Sequence, residues 1–109
     1  MTELSTERAA RNEVVFRDAN ERIEARREEL TAVAGRTPFL CECSDVYCKA
    51  LIPMTLDEYE HVRDKSNRFV LQPGHPTADA TVVGETDRYV IVEKHGVSRA
   101  IAEETDPRR

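Results

Sequence analysis

From residue 5 to residue 33 the chain reads STERAARNEVVFRDANERIEARREELTAV, with no glycine or proline. Its apolar side chains Phe16, Ala19, Ile23, Leu30 and Val33 recur at intervals that fall on one stripe of a helix. Ser5 is placed to cap the N-terminus with Glu7 in the first turn, and Gly35 stands where a left-handed C-terminal cap is wanted. Acid-before-base pairs four residues apart, Glu7–Arg11, Glu13–Arg17 and Asp18–Arg22, are expected to lace the outer faces. Such a helix runs on the order of 40 Å, longer than a module of about 65 residues is wide, so part of it should project. The preferred reading packs the stripe on its own domain. The alternative makes Phe16, Ile23 and Leu30 a short self-association or partner-docking seam, although Asn12 and Arg26 interrupt its companion position.

Beyond GRTP the helical period gives way to short extended runs. FLCEC (39–43) and KALIPM (49–54) read as two strands joined by a polar turn, with Pro53 limiting the second to an edge or to an end at that point. Thr55-Leu-Asp-Glu58 is a capping box opening a helix from Leu56 to Lys65 that turns Leu56, Tyr59 and Val62 inward. RFVLQ (68–72) is a third strand, halted by PGHP. Residues 80–94 form two strands around a turn near 85–87. With Tyr89 and Ile91 on one face and Val90 and Val92 on the other, the last strand is expected at the centre of its sheet. From Gly96 onward the chain is polar and without period, which predicts a frayed end. The expected fold is α+β: a long N-terminal helix over 1–35, a small antiparallel sheet with one packed helix and a metal site over 36–96, and a flexible C-terminal tail over 97–109.

Composition changes this picture in two ways. With 39% hydrophobic residues, no tryptophan and six aromatics in 109 residues, the core is modest and a small chain gains from an added staple. The net charge of -5, negative on both sides of residue 35, leaves no basic patch for a polyanion, so nucleic acid is an unfavoured partner. The N-terminus lacks the basic flank and apolar run of a signal peptide, and no window approaches a membrane span, so a cytoplasmic location is expected. There thiols stay reduced, and three cysteines cannot all pair, which favours metal binding or thiol chemistry over disulfides.

All three cysteines fall within PFLCECSDVYCKALIP (38–53), in the order C-x-C-x4-C. On a strand, positions i and i+2 share a side, so Cys41 and Cys43 project together while Glu42 faces away. The following turn returns Cys48 to the same neighbourhood. Zinc favours four-coordinate sites of cysteine and histidine, and its charge brings thiols to the ligating thiolate form. For the fourth ligand His75 is preferred, because the prolines and glycine of P-G-H-P fix its backbone. His61, on a solvated helix face, His95, at a strand end, a carboxylate or water remain alternatives. The competing readings are a core thiol at Cys41 beside incidental neighbours, a reactive thiol, and an iron site.

FLCECSDVYCKALIPMTLDEYEHVRDKSNRFVLQPGH, followed by DRYVIVEK and preceded by the helical RNEVVFRDANERI, resembles a family of small, largely uncharacterised actinobacterial proteins. These are marked by F-x-C-E-C-x4-C, a L-x-E-Y-E helix, a PGH loop and a final YxVVEK-like strand. The resemblance covers most of residues 11–95 and implies that Cys41, Cys43, Cys48 and His75 act as one unit; it carries no activity. The expected function is a zinc-stabilised binding or regulatory module, with one structural zinc per chain, acting through protein contacts. A redox- or zinc-responsive thiol switch is the runner-up. A zinc enzyme ranks lower: candidates for a general base such as Glu42 or Asp45 exist, though Glu42 points off the wrong face, and the H-E-x-x-H, phosphate-loop and G-x-S-x-G patterns are absent.

Overall fold

The computed structural model describes residues 3–27 and 35–108. In chain order the elements are α1 (Glu3–Ala25), β1 (Thr37–Leu40), β2 (Leu51–Met54), α2 (Leu56–Val62), β3 (Arg68–Leu71), β4 (Ala80–Glu85), β5 (Val90–Lys94) and α3 (Gly96–Glu104). The fold is mixed α+β, as the patterning predicts, with a long N-terminal helix. The expected continuation of that helix through Leu30 and Val33 falls on residues 28–34, outside the described residues. Gly35 does take a left-handed conformation, with φ of 75°.

The strands form two antiparallel sheets rather than one. β1 pairs with β2, Phe39 opposite Ile52 and Leu40 opposite Leu51. The three-stranded sheet runs β3-β5-β4, so the last strand is central, as its two apolar faces require. The sheets nearly join: just past β1, the Glu42 amide donates to the Val70 carbonyl at 2.8 Å. Pro53 explains why the first sheet stops at two strands, since its missing N–H suits an edge. The capping box is formed in full, the Glu58 amide donating to Thr55 Oγ1 at 3.1 Å and the Thr55 amide to Glu58 Oε1 at 2.8 Å. α2 is shorter than expected, ending in a cap at Arg63. Its Tyr59 and Val62 are buried, and the Tyr59 ring stacks on Phe39 with centroids 4.3 Å apart.

Two expectations are corrected. Gly96–Glu104 is not frayed: it forms α3, which buries Ile101 and Ala102 and lies against α1 and β5. Residues beyond it are held too, with the Asp106 carboxylate paired with the buried Arg63. Second, α1 faces the core through a largely polar stripe. Ala10, Glu13, Val14, Arg17 and Asn20 are buried, whereas Phe16 and Ala19 are only half-buried, and Ile23 packs at the core margin. Glu7 and Arg11 do form the exposed pair expected of them, at 3.2 Å. Glu13 and Arg17 do not pair with each other. Glu13 meets Lys94 Nζ at 2.8 Å, and Arg17 donates to the Ser66 carbonyl at 2.7 Å and the Ala102 carbonyl at 3.0 Å while lying over the Phe69 ring.

Candidate metal centre

Each ligand-bearing segment has a local reason for its shape. Cys41 leaves the end of β1 with its amide still donating to the Ala50 carbonyl at 3.2 Å, which keeps the strand extended. Cys41 and Cys43 therefore share a side and Glu42 takes the other, as the two-residue period dictates. Next, Asp45 builds the turn in two ways: its Oδ1 accepts the Tyr47 amide at 2.9 Å and its carbonyl accepts the Cys48 amide at 3.0 Å. That reversal carries Cys48 back to the other two sulfurs. In the third segment Pro73 and Gly74 are the central residues of a turn closed by the His75 amide on the Gln72 carbonyl at 3.2 Å. Gly74 has φ of 82°, which favours glycine there, and the proline before it suits the preceding position of such a turn. The loops are fastened to one another by the Ser44 amide and hydroxyl, both donating to the Pro76 carbonyl, at 2.9 and 3.1 Å.

Together these turns bring Cys41, Cys43, Cys48 and His75 into one cluster whose ligand atoms all lie within 4.8 Å of one another, a set that can bind a metal ion. His75 presents Nδ1, 3.4 Å from Cys41 Sγ and 3.5 Å from Cys48 Sγ. Cys41 and Cys43 are buried, while Cys48 and His75 are half-exposed, so the cluster opens to solvent on one side. Burial pushes the Cys41 thiol well above its ordinary value, with the two neighbouring thiols adding to the shift, and burial raises Cys43 as well. The buried pair, Cys41 and Cys43, is thereby held toward the protonated form, and a bound cation is what favours ligating thiolates. The Gln72 amide already donates to Cys41 Sγ at 3.3 Å, a contact that suits a sulfur carrying charge.

The other histidines are elsewhere. His61 is exposed on α2, and His95 stands at the start of α3 with its Nε2 turned to Thr81 Oγ1, 2.7 Å away. Neither joins the cluster. Glu42 is fully buried on the far side of the strand from the sulfurs. Its carboxylate accepts the Asn20 side-chain amide at 2.8 Å, the Val70 amide at 3.1 Å and the Tyr59 hydroxyl at 3.5 Å. Burial, partly offset by those bonds from Asn20 and Val70, pushes its carboxyl up to about 7.

What the sequence pattern misses is how the site is held from behind. Asn12 donates to the Ser44 carbonyl at 3.0 Å, and Asn20 exchanges bonds with Leu40, donating to its carbonyl at 2.9 Å and accepting its amide at 2.7 Å. On the histidine side, Thr77 donates to Glu13 at 2.7 Å, and Lys94 Nζ reaches the Thr77 hydroxyl and the Ala78 carbonyl. α1 thus clamps the cysteine stretch and the histidine loop through polar side chains. One signal was present: Asn12 and Asn20 sit in the middle of a helix, where asparagine is a poor choice unless its amide has a partner. Set against models of protein families, against curated proteins and against solved structures, the chain matches none of them, so its site rests on geometry: three thiols and one imidazole drawn together by one extended segment and two turns.

Proposed function

We propose that the chain is a small zinc-stabilised binding module in which Cys41, Cys43, Cys48 and His75 hold one structural zinc ion. The observation that carries this reading is the spacing of the ligand atoms. Tetrahedral zinc at ~2.3 Å from sulfur and ~2.0 Å from nitrogen implies S···N separations of about 3.5 Å, and two of the three, from His75 Nδ1 to Cys41 and Cys48, are 3.4 and 3.5 Å. Sulfur-rich four-coordinate sets select zinc over hard cations, which take oxygen. Four protein ligands leave no open position, so the ion stabilises rather than catalyses. The carboxylates nearest in sequence support that: Glu42 is turned into the core, and Asp45 engages the Tyr47 amide.

The module's outward contact is with another protein, a reading supported by Val46 and Tyr47. At 60% and 84% exposed, they project from the tip of the turn between Cys43 and Cys48. Phe16 and Ile23 are partly occupied within the chain itself, which favours local packing of α1 over self-association.

Metal analysis of protein purified without added zinc tests the centre. One zinc per chain is expected, held by His61→Ala as in the parent chain, and lost from Cys43→Ser and His75→Ala. Chelation is expected to lower the melting temperature by more than about 10 °C. Full retention of zinc by His75→Ala defeats the ligand assignment, and an unchanged melting temperature on chelation defeats the structural role.

A further inference from the structure

The four members of the cluster are not equivalent. Cys41 and Cys43 are 1% and 0% exposed, whereas Cys48 is half-exposed and follows an exposed turn, residues 45–47. The register of β1 with β2 adds a second asymmetry. It runs from Thr37 opposite Met54 to Leu40 opposite Leu51, and the bond from the Cys41 amide to the Ala50 carbonyl continues it. Beyond that bond the two segments run into the turn that the Cys48 amide closes on the Asp45 carbonyl, so Cys43 and Cys48 flank residues 44–47, with their sulfurs within 4.8 Å of each other. A short loop of this kind leaves its two flanking cysteines free to approach to the spacing that a disulfide spans. Cys41 and Cys43, next-but-one on an extended strand, stand about 6.5–7 Å apart, at or beyond that range.

Resting on the metal reading above, we propose that Cys48 is a modification site for hydroperoxides and that Cys43 resolves it, so that oxidation expels the zinc. The Cys48 thiolate attacks one peroxide oxygen; the S–O bond forms, the O–O bond breaks, and hydroxide, or the alkoxide of an organic peroxide, leaves. The Cys43 thiolate then displaces hydroxide from the sulfenic sulfur, forming the S–S bond. The two sulfurs together give up two electrons, the peroxide takes them, and the hydroxide or alkoxide released is protonated by the buffer. Two of four ligands are then lost, and zinc departs from Cys41 and His75 alone. A dithiol reductant restores both thiols and the site. The balance of electrons needs no cofactor beyond the peroxide.

The test uses the full chain as purified, its zinc measured first, then treated with hydrogen peroxide while zinc release and disulfide linkage are followed together. Release of one zinc per Cys43–Cys48 disulfide is expected, reversed by dithiothreitol with zinc present. Alkylation of the reduced chain should reach Cys48 about tenfold or more faster than Cys41 or Cys43. Zinc retained at full peroxide oxidation, a linkage that omits Cys48, or Cys41 alkylated first would each overturn the proposal. A chain that holds no zinc overturns the metal reading instead. Its peroxide-induced linkage and alkylation order still decide the order of thiol reactivity proposed here.

Discussion

At the scale of single residues the most informative is Glu42, which the strand period points away from the sulfurs and only the fold shows to be a core residue. Its two carboxylate oxygens accept from a helix side chain, a strand amide and a tyrosine hydroxyl, so it ties the strand between Cys41 and Cys43 to α1, β3 and α2 at once. A glutamine in its place offers one oxygen and one amide nitrogen, leaving at least one of those buried donors facing another donor. Glu42→Gln is therefore expected to lower stability by about 1–3 kcal/mol, measured by urea unfolding with zinc in excess. A change below a few tenths of that scale would show the three bonds to be weak.

At the scale of elements, two departures from the sequence pattern share one cause. α1 presents Glu13, Arg17 and Asn20 to the interior, and α3 forms where the sequence predicts a frayed end, because each supplies what the other lacks. The Ala102 carbonyl and Thr105 hydroxyl accept from Arg17, while Asp106 and Glu21 flank Arg63 at the end of α2. A buried guanidinium is tolerated only with partners in place, and these come from residues far apart in the chain. Hydrophobic periodicity cannot register such a helix pair, since half of the contact is charge. Asp106→Ala strips Arg63 of one carboxylate and leaves Glu21, so a loss of about 1–3 kcal/mol is expected. Hydrogen exchange should then show α3 opening before the sheets do. Unchanged protection of α3 would mean that its apolar contacts hold it unaided.

At the scale of the whole molecule, the chain combines a small apolar core with ion pairs that staple its elements. Arg88, from the turn before β5, donates to both oxygens of Glu58 at the start of α2, at 2.7 and 3.4 Å, and holds that carboxyl down at about 2. The unfolded chain titrates near 4.5. The fold therefore binds fewer protons than the unfolded chain between those values, and the stabilisation is complete above pH 4.5 and is lost as pH falls toward 2. The stability gap between the parent chain and Glu58→Gln should accordingly be wider at pH 7 than at pH 3. A gap independent of pH would show that the pair contributes nothing through charge. The sequence by itself determined what depends on near neighbours: the long helix, the capping box, the central last strand, the turns of Asp45 and Pro73–Gly74, and the shared side of Cys41 and Cys43. The convergence of His75 on the three cysteines, the division into two sheets, the burial of the polar stripe of α1 and the folding of α3 were decided by tertiary structure. The physical reason is range. Turns, caps and strand alternation are set within a few residues by sterics and backbone hydrogen bonds, whereas a buried charge or a fourth metal ligand is favoured only once a partner tens of residues away has been brought beside it.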